Sequence, residues 1–200
     1  MTVQVSQSIS QLERRIYNFF AEEVGSQKML GWVLLLHNNV PKPNVVIKSR
    51  FNDNMVYKRD ENNEGKVLAS SGQLAIDVAE IKNSNDDCMF VCNAVKCPSE
   101  VSSLLDCNLA KFLADEKLAQ RNISTIAGQL LRASNVSNVG EMLCFSEDDL
   151  SNMRNIGDKM LSLLKQSLEE NHGAKIGMFS SNVHVPTGSC VIELVAVIEE

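Results

Sequence analysis

The chain has 200 residues, 44% hydrophobic and 22% charged, an ordinary globular composition that suits one large domain or two small ones and excludes a collagen-like, mucin-like or wholly disordered polypeptide. With 19 basic against 25 acidic residues the formal net charge is −6, which argues against an affinity built on many phosphate contacts. The longest apolar run, 29–36 with Gly31 inside it, falls well short of the ~20 residues of a membrane span. Thr2-Val3-Gln4-Val5-Ser6-Gln7 shows neither a basic n-region nor an apolar h-region, so the expected location is cytoplasmic, with no membrane partner.

Residues 6–24 read as a helix, because Ile9, Leu12, Ile16, Phe19, Phe20 and Val24 recur every three or four positions and Gly25 supplies a stop. The pattern then changes to short apolar runs at 32–37, 45–51, 55–58, 67–70, 74–81 and 88–95, separated by Asn, Pro and Gly. These are expected strands, and the polar segments 38–44 and 60–65 are expected loops. The first 98 residues thus predict an α+β unit, one helix on a mostly antiparallel sheet, and resemble no family.

After Pro98 the apolar residues Val101, Leu104, Leu105, Leu109, Phe112, Leu113 and Leu118 return at helical spacing, and no proline occurs up to residue 168. Residues 99–120 read as a helical connector and 121–172 as a compact all-helical module. Its helix starts are legible from capping chemistry: Ser124 ahead of one helix, Asn138 with Glu141 three residues on, and Ser146 with Asp149 three residues on. Residues 173–200 revert to strand chemistry, with 175–185 and 190–198 flanking Pro186-Thr187-Gly188. They predict a C-terminal β-hairpin that needs a partner, since a lone hairpin is marginal in water. The N-terminal sheet or another subunit would serve; pairing with the N-terminal sheet would make the helical unit an insertion.

The six cysteines include no C-x-x-C pair and are read as separate reduced thiols. Cys88 and Cys92 would share one face of a strand, a placement compatible with two metal ligands, but no metal or cofactor is expected. His37, His172 and His184 lie far apart and are assigned structural roles. Asp86-Asp87 and Asp148-Asp149 are explained by a polar loop and by the dipole of a helix first turn. The sequence has no G-x-S-x-G, P-loop, H-E-x-x-H or dinucleotide fingerprint, and no enzyme activity is expected.

Around Met153-Arg154-Asn155-Ile156-Gly157-Asp158-Lys159 a short helix ends and a longer one begins, a helix-hairpin-helix turn. Glycine lets a ligand approach the backbone, the amides of the next helix point outward with the positive end of its dipole, and Lys159 would add a charge to the same anion. The alternative is that Gly157 only permits a sharp turn and Lys159 is a solvated surface residue.

Residues 123–178 resemble the C-terminal domain of the bacterial RNA polymerase alpha subunit. The resemblance rests on Val136-Ser137-Asn138-Val139-Gly140-Glu141-Met142-Leu143, Ser146-Glu147-Asp148-Asp149-Leu150, Arg154-Asn155-Ile156-Gly157-Asp158-Lys159 and Ile176-Gly177-Met178. It implies a compact helical fold that docks in the minor groove of promoter DNA and contacts transcription factors and sigma factor. Carried over by residue, the principal groove arginine falls at Ile126, the contacting asparagine at Gln129 and the next contact at Leu130. Asn155, Gly157 and Lys159 match on the second loop, where the serine after the lysine is Met160. An aliphatic side chain at 126 cannot replace a guanidinium in a narrow groove, and residues 121–170 hold five basic against seven acidic side chains.

The candidate contact residues are therefore Gln129, Arg132, Asn155, Gly157 and Lys159. The expected function is a non-enzymatic, transcription-related binding protein that touches RNA polymerase, a regulator or, weakly, DNA. A structural or assembly protein using the module and the hairpin, with homo-oligomers, is the competing expectation.

Overall fold

The computed structural model describes residues 9–25, 27–38, 47–50, 55–56, 74, 77–81, 88–116, 128–130, 134–180 and 183–200. The first described element is helix α1 (Ile9–Phe19), which continues as a widened π turn over Phe20–Val24. That turn closes with Gly25 N donating to Phe20 O at 3.0 Å. Its extra residue lets Phe19, Phe20 and Val24 all reach the sheet, with the two phenylalanine rings edge to face at 5.5 Å. Gly25, at φ 58, ends the helix as the sequence predicts.

Among the described residues the sheet has five strands: β1 (Lys28–Asn38), β2 (Ile47–Arg50), β3 (Met55–Val56), β4 (Cys88–Cys97) and β5 (Cys190–Glu199). The order is β2-β1-β5-β4, and β3 pairs with the start of β1. All of β1's pairings are antiparallel, while β4 and β5 run parallel from Cys88↔Cys190 to Cys97↔Glu199. The two central strands are buried on both faces at 29–36 and 191–198. That double burial is why they read as continuous apolar runs rather than as alternations. A bulge between Met29 and Gly31 shifts the register and reverses the phase of β1, so Leu30 joins one core while Met29 and Trp32 join the other.

The expected C-terminal hairpin is not formed. Residues 183–189, like 174–180, include no strand, and 190–199 is a single strand in the middle of the sheet. Both arms carry β-branched residues, but they are denser in the second, which finds neighbours on both edges. Because β4 and β5 are adjacent and parallel, everything between them is a crossover connection. That crossover runs from 98 to 189, and its described helices put the helical unit between two neighbouring strands of one sheet.

A second correction concerns 74–81. Leu74 and residues 77–81 are helical, and Leu74, Val78 and Ile81 are buried against α1 and the sheet. Their spacing of four and three is helical and outweighs the β-branched content. The expected strand at 67–70, and the helix start at Ser124, lie outside the described residues.

One face of the sheet carries α1 and 77–81, packed on Trp32, Leu34, Leu36, Ile192, Leu194 and Ala196. The other carries the helical unit: α2 (Ser99–Ser102), α3 (Leu109–Asp115), α4 (Val139–Met142), α5 (Glu147–Ser151) and α6 (Asp158–His172). Their core of Val101, Leu109, Leu113, Met142, Leu164 and Phe179 is continuous with Val33, Leu35, Val195 and Val197 of the sheet. Backbone bonds from Leu109 N to Ser137 O and from Gly140 N to Leu105 O tie the predicted connector to the module.

The cysteines also depart from expectation. Parallel pairing sets Cys88 opposite Cys190, and the two form a disulfide with Cα atoms 4.5 Å apart. Cys92, Cys97, Cys107 and Cys144 are free. Burial pushes Cys92 up to about 12, against a lowering by Arg15, and burial with the charges of Glu100, Glu199 and Glu200 raises Cys97 to about 11. These two thiols stay protonated and are poor nucleophiles and poor ligands. Among the described residues no group of three or more His, Cys, Asp or Glu could hold a metal ion, and no helix is long and apolar enough to cross a membrane.

Candidate functional site: the turn between helices α5 and α6

Two capping boxes build the approach to the site, both where the sequence places them. Asn138 Oδ1 accepts from Glu141 N at 2.9 Å while Glu141 Oε2 accepts from Asn138 N at 3.1 Å. Ser146 Oγ accepts from Asp149 N at 3.1 Å while Asp149 Oδ2 accepts from Ser146 N at 3.0 Å. Such caps contribute about 1 kcal/mol each, enough to hold helices as short as α4 and α5 in one direction. Burial raises the Glu141 carboxyl above the ordinary range, against the hydrogen bonds from Ser137 and Asn138 that lower it.

The turn itself is pinned from inside by Met153 and Ile156, both buried, with Ile156 N donating to Met153 O at 3.2 Å. Between them Arg154 and Asn155 are exposed. The reversal is made by Asn155, which sits at φ 67. Asparagine tolerates the left-handed region better than most residues. Gly157 is the N-cap of α6 at φ −100 and ψ 165, an extended conformation open to any residue, and no side chain caps the helix there. Its carbonyl accepts from Met160 N at 2.9 Å and Leu161 N at 3.1 Å. A Cβ at 157 would meet nothing within 4 Å. Among the described residues neither packing nor backbone requires a glycine at 157, and the positive φ of the reversal falls on Asn155.

Asn155, Gly157 and Lys159 are each exposed, in the turn before a 15-residue helix and in that helix's first turn. The uncapped first-turn amides, the helix dipole and the Lys159 ammonium favour an anionic group there. Asp158 opposes them from within the same turn. Lys165 lies farther along α6 and is held by Glu147 at 2.6 Å.

The first predicted contact group is not assembled in the same way. Gln129 is half-buried in the helical segment 128–130, and Leu130 is fully buried in the core, where it cannot reach a groove. Ile126 and Arg132 lie outside the described residues.

At the far end α6 is clamped to α3. Glu116 accepts from Ser167 Oγ and from Asn171 Nδ2 at 2.7 Å, and its Oε1 lies 2.8 Å from His172 Nε2. The His172 ring tilts against Phe112 at 5.3 Å, the structural role expected of that histidine.

Sequence reasoning missed one polar group in the core. Glu193, in the middle of β5, is fully buried, with His37 Nε2 at 2.8 Å from Oε2 and Asn93 Nδ2 at 2.6 Å from Oε1. The available signal was a lone carboxylate inside the apolar run 191–198, since such a group requires buried donors.

The described helices α3–α6 thus pack as a helical unit on one face of the sheet of an α+β protein, with an exposed turn between α5 and α6. Residues 111–170 match the family model of the C-terminal domain of the alpha subunit of bacterial RNA polymerase, a transcription-related interaction domain. The match runs from within α3 to near the end of α6. No curated protein and no solved structure matches the sequence.

Proposed function

We propose that this is a non-enzymatic, transcription-related binding protein of the cytoplasm. It uses its alpha-C-terminal-domain-like module to contact RNA polymerase or a regulator, with DNA as a weak ligand only. The observation that carries this reading is Gly157: it lies in the segment that matches the family, at an uncapped helix N-terminus, and its own fold leaves the space of a side chain empty. A glycine without an internal reason points to close approach from outside.

The balance between protein and DNA follows from the rest of the surface. Groove reading needs cations, and position 126 is aliphatic, Leu130 is core, and the first turn of α5 is acidic. The competing assembly reading loses one of its two supports with the hairpin.

The test is a pair of titrations with the whole protein. Labelled A·T-rich duplex is expected to bind at low salt and to dissociate near about 0.15 M. RNA polymerase is expected to bind at that salt and to lose affinity when Lys159→Ala or Gly157→Glu is introduced. If both substitutions left polymerase and DNA binding unchanged, the turn would not be the recognition surface.

A further inference from the structure

β4 is an outer strand of the sheet, with no described strand beyond it. Its outward groups can be assigned. Cys97 O accepts from Glu200 N, so Cys97 and the other odd-numbered residues direct their backbone groups toward β5. Phe90, Cys92, Ala94 and Lys96 then direct theirs outward. Arg15 agrees with that phase, since its Nη2 donates to Phe90 O at 3.3 Å and its guanidinium lies 5.8 Å from the Phe90 ring centroid. Between this edge and α1 runs an open groove of about 750 Å³, lined along β4 by residues 90–94 and along the helix by Arg15, Asn18, Phe19, Glu22 and Glu23.

The groove is charged in opposite senses at its two ends. Only residues 25–27 separate the π turn from β1, so α1 runs antiparallel to β1 and parallel to β4. Arg15 lies at the Phe90 end, and Glu22 and Glu23 lie toward Ala94 and beyond. A two-fold axis through Cys92, perpendicular to the sheet, pairs the strand with itself in antiparallel fashion. It sets Phe90 opposite the second copy's Ala94, and Arg15 opposite the second copy's Glu22 and Glu23. The outward-facing residues become the hydrogen-bonded pairs of the new ladder, as an antiparallel pair requires. On the opposite face Met89, 48% exposed and the more exposed of two large hydrophobics among the described residues, comes against the second copy's Val95.

We propose that this edge is a homodimer interface: two copies join through β4 into one continuous sheet, with Arg15 of each copy leaving Phe90 O to the partner's Ala94 N–H and pairing with the partner's Glu22 and Glu23. An isologous contact of this kind closes on itself and removes the exposed edge. Because the axis preserves the faces of the sheet, both helical modules emerge on the same side. Two copies of a weak binding turn would then act on one target with the gain of bivalency. The dimer does not depend on what the modules bind.

The test is sedimentation equilibrium of the full-length protein. A dimer is expected at micromolar concentration. Ala94→Pro removes an outward N–H that the protein's own ladder does not use, so the fold is retained while dimer affinity falls by about 30-fold or more through two lost backbone bonds. Arg15→Glu alone, and Glu22→Lys with Glu23→Lys alone, each weaken self-association. Mixing those two variants restores it, because every Arg15–Glu22/Glu23 position again holds opposite charges. The mixing result stands even if Ala94→Pro does not fold. A monomer at about 100 µM, or a dimer that ignores these substitutions, would overturn the interface.

Discussion

His37 Nε2 lies 2.8 Å from Glu193 Oε2, and the glutamate is fully buried on the central strand β5. The contact crosses the β1–β5 pair on the face that carries the helical unit. A carboxylate there is tolerated only with donors on both oxygens, which His37 and Asn93 supply. Either His37→Ala or Asn93→Ala is expected to destabilise the protein by about 1–3 kcal/mol, the cost of leaving a buried acceptor short of a partner. In a denaturant double-mutant cycle, His37→Ala should cost much less once Glu193 is replaced by Leu. Additive effects would show that the two side chains are not coupled.

Asn155 and Gly157 divide a role that the sequence assigns to the glycine. Asn155→Ala should cost about 1–2 kcal/mol because of its positive φ, and Asn155→Gly should not. Gly157→Ala should leave the melting temperature within a degree or two, since its backbone is extended and its Cβ meets nothing. A large loss of stability in Gly157→Ala would return this residue to a structural role.

Glu116 gives the module an acid-sensitive clamp. Partial burial pushes its carboxyl up, but the hydrogen bonds from Ser167, His172 and Asn171 and the His172 charge outweigh it, leaving the group below the ordinary range. A folded value below the unfolded one means that the unfolded state binds the proton more tightly. The stabilisation is therefore present above the ordinary glutamate value of about 4.3 and is lost as the pH falls through the lowered value. Thermal unfolding between about pH 5 and pH 3 should show a shallower decline for Glu116→Gln than for the parent. Identical slopes would remove Glu116 from the acid response.

The position of β5 makes a claim about truncation. Residues 190–199 pair with β1 on one side and β4 on the other, and their side chains enter both cores. A protein ending at 189 should lose cooperative unfolding altogether, as followed by circular dichroism, whereas a peripheral hairpin could be removed at little cost.

The Cys88–Cys190 disulfide spans a sequence separation of 102 residues, a loop whose closure is worth about 4–5 kcal/mol in the loop-entropy account. Alkylation of the denatured, unreduced protein should label four thiols, in agreement with the free cysteines. Reduction should lower the denaturant midpoint, and Cys88→Ser with Cys190→Ser should abolish the response to reductant. Six labelled thiols before reduction would mean that the bond does not form.

What the linear sequence determined is local chemistry. The amphipathic spacing of Leu12, Ile16, Phe19 and Phe20, the stop at Gly25, the capping boxes at Asn138 and Ser146, and the Arg154–Lys159 turn all depend on residues within about four positions of one another, so they can be read without the fold. The family resemblance was legible for the same reason, as a continuous run. Tertiary structure decided whatever joins distant segments. The parallel pairing of β4 with β5 turned a presumed hairpin into a central strand and set Cys88 beside Cys190. It also placed Glu193 between His37 and Asn93, and it made β4 an outer strand among the described residues, with Arg15 against it. Strand pairing is chosen by burial on both faces at once, a global competition among apolar runs that no single run encodes, and for that reason only the folded protein reveals which runs become neighbours.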